Sequence, residues 1–198
     1  MPKSYSKFTY GDLSALNIKV REHKLFDQIK EVEPSAFLTE SLRKNLRRNL
    51  RTEKAKSELI IAPILNELED TNGNILGYYS GYNFDVDKNL GLRGFCDFIL
   101  SFTPDSPIIE APVFCIVEAK NENLEGGVPQ CVAELYAAQI FNDRVGKSRP
   151  VLYGAVTFGH EWKFIRFIGK EAEVDTNVFY LNQLPQILGI MQYIVDNA

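Results

Sequence analysis

The chain has 198 residues, 45% of them hydrophobic, with a formal charge of −4 and a pI near 5.3. Its size and apolar content suffice for one full core with a small N-terminal addition. The acidic balance excludes a protein that coats nucleic acid through bulk charge, though not one with a local basic groove. No run of ~18 apolar residues occurs, and the N-terminal Met-Pro-Lys-Ser-Tyr-Ser-Lys lacks a signal-peptide core, so the expectation is a cytoplasmic chain without a membrane span. The odd cysteine count (Cys96, Cys115, Cys131) and its placement in apolar stretches predict buried thiols, not a disulfide framework. With only His23 and His160 and no CxxC pair, a zinc site of ordinary spacing is excluded.

Residues 8–10 and 16–20 have the composition of short strands and 24–32 that of a weak helical turn; no role is assigned to residues 1–33. Glu33-Pro34-Ser35 opens a clear helix, with proline and serine in N-terminal positions. Leu38, Leu42, Leu46 and Leu50 give it an apolar stripe. Opposite lie Arg43, Lys44, Arg47, Arg48 and Arg51, continued by Lys54 and Lys56, against one acid, Glu53, between positions 43 and 56. Such an asymmetry suits phosphate binding, and it suits a solvated helix face equally well. Thr52 is placed to cap a second helix over 53–69, which Pro63 should kink or divide. Glu58 precedes its apolar block; the ordinary role for it is a surface pair with Lys54, worth ~0.3 kcal/mol.

Asn72-Gly-Asn74 marks a turn into a strand over 75–84, rich in Tyr78, Tyr79 and Tyr82. The loop 85–91 resembles a calcium loop only superficially: its glycine falls one place late and position twelve is Cys96. It reads as a polar hairpin loop. The strand over 94–102 carries one acid, Asp97, among apolar neighbours, a costly placement for a carboxylate without a partner or a metal. Residues 113–117 then form an unbroken apolar run, the signature of a strand buried on both faces, ending in Glu118-Ala119-Lys120. Side chains at i and i+2 share a face, so Glu118 and Lys120 project together from the strand's end. After a loop over 121–127, whose glycines suit either a phosphate approach or a plain connector, a helix is predicted for 128–141. On it Gln130 and Glu134 fall one turn apart on one face. Strands over 151–157 and 162–168 form a hairpin with His160 as a turn residue. An edge strand within 171–180 and a core helix over 184–195 complete the chain.

An acid on one strand, then Glu-x-Lys at the end of the next, resembles the PD-(D/E)XK nuclease superfamily. The resemblance covers roughly residues 50 to 168, with a helix carrying Glu58 before the motif and a helix carrying Gln130 after it. It departs at Cys96, where the motif's name has proline. The resemblance implies an α/β restriction endonuclease-like core in the order α-β-β-β-α-β, with a mixed central sheet of four or five strands flanked by helices. Residues 1–50 would be an N-terminal extension packed on a 51–198 nuclease-like domain. It implies a phosphodiester hydrolase acting on DNA with Mg²⁺ or Mn²⁺, held by Asp97, Glu118 and the Ala119 backbone carbonyl, with Glu58 completing the acidic rim. Lys120 would orient the attacking water and Gln130 would contact the water, the lysine or a phosphate. Arg43, Lys44, Arg47, Arg48 and Arg51 would bind the nucleic acid, and dimerisation would suit cleavage of two strands. The alternative is a nuclease-like fold without turnover that binds nucleic acid or regulates a partner. A cysteine hydrolase built on Cys131 and His160 has no support beyond residue identity.

Overall fold

Strand β4 (Val113–Ala119) is buried at every position, as its apolar run predicts. In the computed structural model, which describes residues 3–104 and 106–198, it lies between antiparallel β3 (Phe95–Ser101) and parallel β5 (Leu152–Thr157). Beyond β3, β2 (Gly77–Asn83) closes one edge. On the other side follow β6 (Glu161–Ile168), β7 (Glu171–Asp175) and β1 (Lys19–His23), with the two-residue β8 (Phe179–Tyr180) paired to β6. The sheet therefore has eight strands, not the four or five expected. The segment predicted as an edge strand over 171–180 is split, and β1 covers β7 in parallel, pairing Lys19 with Glu171. The short strand expected over 16–20 thus lies at 19–23, where four of its five residues are exposed.

The parallel β4/β5 pair requires a crossover, and α5 (Leu124–Arg144) supplies it. With α1 (Tyr10–Ala15), it covers one face of the sheet. The other face carries α2 (Ala36–Asn45), α4 (Ala62–Asn72) and α6 (Leu184–Asn197). From α4 the elements run α-β-β-β-α-β through β5. The two faces hold separate apolar clusters, and all three cysteines are buried and unpaired. Among the described residues no helix is long and apolar enough to cross a membrane.

Three local departures bear on function. Helix α2 stops at Asn45, so Leu46 is exposed and Arg47, Arg48 and Arg51 lie on the irregular segment beyond it. Thr52 caps α3 (Glu53–Lys56) as expected, but a wide π turn over Ser57–Ile61 separates α3 from α4. Pro63 explains this: it has no N–H for the Leu59 carbonyl, which instead accepts from Asn45 Nδ2 at 2.9 Å. Helix α5 starts four residues before the predicted 128, because Asn123 caps it through the Gly126 N–H at 3.1 Å. Gly126 and Gly127 are thus helical residues, not a loop.

The N-terminal segment is integral to the α5 face. Tyr5 is almost fully buried and donates through its hydroxyl to the Phe84 carbonyl at 2.7 Å. The strand predicted at 8–10 is instead the capping box of α1, Thr9 and Asp12 bonding each other's backbone N–H.

Candidate active site

Asp97 leaves the middle of β3 on the side covered by α5, and its Oδ2 accepts from the Ala119 N–H at 2.8 Å. This bond ties the acid to the end of β4, where Lys120 is itself held by its N–H to the Thr157 carbonyl at 2.7 Å. Glu118, 1% exposed, lies against the Asp97 carboxyl, and its Oε1 takes a very short contact from Lys120 Nζ. Lys120 Nζ also donates to Gln130 Oε1 at 3.1 Å, and Gln130 Nε2 donates to Glu134 Oε1 at 3.0 Å. Glu134, fully buried, lies against Glu118 in turn. Asp97, Glu118, Lys120, Gln130 and Glu134 therefore form one connected polar group between two strand ends and the first turns of α5.

Gly127 makes this proximity sterically feasible. A Cβ at that position would stand 2.5 Å from Val156 Cγ1 and 3.0 Å from Lys120 Cγ, closer than atoms tolerate. Without one, the first turn of α5 can pack onto the lysine stem.

The electrostatics follow from three acids facing one ammonium in a dry environment. Burial raises Asp97; burial, then the Glu134 and Asp97 charges, raise Glu118 well above the ordinary glutamate value. Burial pushes Glu134 up to about 8. For Lys120, burial alone would lower the value, but the Glu118 carboxylate, by charge and hydrogen bond, and then Asp97 raise it above that of an ordinary lysine. That direction favours the ammonium form, a hydrogen-bond donor. Glu118 Oε2 and Glu134 Oε2 are both buried without a hydrogen-bond partner among the described residues. Two buried carboxylate oxygens in that condition call for a proton, an ordered water or a cation. That fits a hard divalent ion, which prefers carboxylate oxygens. Among the described residues, however, no set of three or more His, Cys, Asp or Glu side chains is arranged as a ligand cage. Any ion would rest on fewer protein carboxylates than a dedicated cage offers, leaving the Ala119 carbonyl and the substrate to complete it.

Glu58 is not brought into this group. Its side chain is 63% exposed and sits 3.6 Å from Lys54 Nζ, the surface pair that its helical spacing also allowed. In a regular α-helix Glu58 would share a face with the buried Ile61 and Leu65. The π turn inserts an extra residue per turn and rotates Glu58 outward by roughly 100°. What the same helix offers the site is Lys56, whose Nζ donates to the Asn121 carbonyl and lies 5.3 Å above the Phe158 ring. The basic residues also divide. Arg43 and Lys44 are paired with Glu40, at 2.6 and 3.3 Å. Arg47, Arg48 and Arg51 have no carboxylate within ion-pair distance among the described residues.

Two contributors escaped the sequence reading. Glu134 was visible as a neighbour of Gln130 at i+4, but nothing in one dimension showed it reaching Glu118. Lys163, only 6% exposed, lies on β6 in register with Val156, which pairs with Glu118 on its other side. It donates to Glu125 in the first turn of α5 at 3.0 Å. Cys131 is buried under α5 with its thiol toward the Ile116 and Ala155 carbonyls, whereas His160 is at an exposed hairpin tip, so the two share no site. Compared with known proteins, the chain matches no family model and no curated protein.

Proposed function

We propose that this chain is a metal-dependent phosphodiester hydrolase acting on DNA, with a restriction endonuclease-like core from α4 to β5. The observation that carries the reading is the convergence of Asp97, Glu118, Lys120 and Gln130 at adjoining strand ends, with a buried carboxylate oxygen left unpartnered. Structural ion pairs gain little over apolar packing, so an acid-rich cluster of this kind points to chemistry.

Asp97 and Glu118 would hold Mg²⁺ or Mn²⁺ together with the Ala119 backbone carbonyl. Bound there, the ion supplies neutralisation of phosphate charge and a polarised water. Lys120, kept protonated by Glu118, is a fixed donor toward the nonbridging phosphate oxygens or the attacking water, where negative charge grows. Gln130 holds that ammonium through a second hydrogen bond. Arg47, Arg48 and Arg51 supply cations for the nucleic-acid backbone, and Lys56 adds one beside Asn121, next to the group. A dimer would present two such sites to a duplex.

The second reading, a nucleic-acid-binding module without turnover, is favoured by the absence of a three-carboxylate cage among the described residues and by the uncompensated arginines. One experiment separates the two. Purified protein is incubated with linear, nicked, branched and single-stranded DNA and Mg²⁺ or Mn²⁺, beside Asp97→Ala and Lys120→Ala controls. Cleavage above both controls is expected. Binding without cleavage would leave the second reading.

A further inference from the structure

Glutamine has two chemically different ends that occupy nearly the same space, so its orientation is set by what each end meets. For Gln130 both ends are specified. The Lys120 ammonium can only donate, and so requires Oε1 at 3.1 Å; Glu134 Oε1, an acceptor whether the carboxyl is ionised or carries its proton on the unpartnered Oε2, requires Nε2 at 3.0 Å. We propose that Glu134 is a positioning residue that locks the Gln130 amide and, through it, fixes the direction of the Lys120 ammonium.

The geometry makes the assignment specific. Lys120 has two acceptors, Glu118 Oε1 and Gln130 Oε1, so two of its three protons are committed and the third is left in one direction. Loss of the acceptor at 134 would let the amide turn over and aim an NH₂ group at the ammonium, which removes one of the two tethers. Glu134 is fully buried in the N-terminal half of α5, one turn beyond Gln130, so its own aim is fixed by packing. A merely cohesive role does not explain it: its Oε2 is unpartnered and lies against a second acid, an arrangement that an apolar side chain of similar volume would improve on. The catalytic consequence rests on the hydrolase reading; the locking of Lys120 does not.

The test uses Glu134→Leu, Glu134→Gln and Gln130→Met in the full chain, with two readouts: kcat and KM for DNA cleavage, and the ¹⁵Nζ resonance of Lys120, assigned by its loss in Lys120→Ala. Glu134→Leu is expected to lower kcat by about 10²-fold with KM nearly unchanged, the size of effect a misplaced group produces. It should also move the Lys120 resonance. Gln130→Met should do the same, and the double variant should be no worse than either single one, because both break one chain of contacts. Glu134→Gln, which keeps an acceptor, should recover most of the loss. The proposal is overturned if Glu134→Leu leaves the Lys120 resonance in place, if kcat is unaffected in an active enzyme, or if the two single effects multiply. A wild type that cleaves no DNA sinks the hydrolase reading alone, and the Lys120 resonance across the same variants then decides the locking. Should Glu134→Leu fail to fold, Gln130→Met and Glu134→Gln carry the same comparison.

Discussion

Helix α5 meets β4 through buried polar side chains at both ends. At its C-terminal end Asn142, fully buried, accepts from the Val113 N–H at 2.8 Å and donates to the Val113 carbonyl at 2.7 Å, so that amide is used at both ends. At its N-terminal end Gln130 and Glu134 face Glu118 and Lys120, and two carboxylate oxygens stay unpartnered. The same helix and strand thus show a polar contact complete for cohesion and one incomplete for it. The incomplete one coincides with the strand ends, where α/β folds place their chemistry. Proteins retain such locally unfavourable arrangements where function requires them.

The comparison breaks most sharply if the incomplete end proves dispensable. Asp97→Ala or Lys120→Ala should reduce DNA cleavage by about 10²–10³-fold, measured as single-turnover rate at a temperature where both variants remain folded. Asn142→Ala should do the converse. It strips both Val113 backbone groups of their partner and should cost about 2–3 kcal/mol in urea unfolding, with cleavage retained below the transition. Glu134→Leu sharpens the contrast from the other side, since it should raise the stability of metal-free protein by about 1–2 kcal/mol while impairing function. A pH series reads the same site. Burial lifts Glu134 from the usual 4.5 to about 8, so its favourable neutral form is fully available below the unfolded value and is lost as pH rises through the folded one. Metal-free wild type should accordingly lose stability between those limits, and Glu134→Leu should lose less.

The smallest effects concern the surface. Arg47→Ala with Arg48→Ala should weaken DNA binding and reduce its salt slope by about 2. Arg43→Ala and Lys44→Ala, already paired with Glu40, should change it less. Glu58→Ala should leave cleavage alone and cost no more than about 0.5 kcal/mol.

Much of this was readable in one dimension because strand periodicity is short and robust. Two residues on one strand share a face by alternation alone, which predicted the Glu118–Lys120 contact. The apolar runs likewise marked β3 and β4 as strands. Glu58 misled because a helical face accumulates error: one π turn at Pro63 was enough to turn it to solvent. Strand β1 was marked only at its start, by the apolar residues up to Val20; most of its side chains are exposed, and its pairing with β7, about 150 residues away, has no local signature. Lys56 and Lys163 owe their places to contacts across 65 and 38 residues, which local pattern does not encode.

The hydrogen that stands for a side chain at Gly127 acts as a shim of fixed thickness between helix and sheet. A methyl group there must displace Val156, wedged in the core, and at the same time press on the flexible stem of Lys120. Glycine to alanine, ordinarily a gain of up to about 1 kcal/mol within a helix, would at this position disturb the core and tilt the neighbouring ammonium without altering any charge.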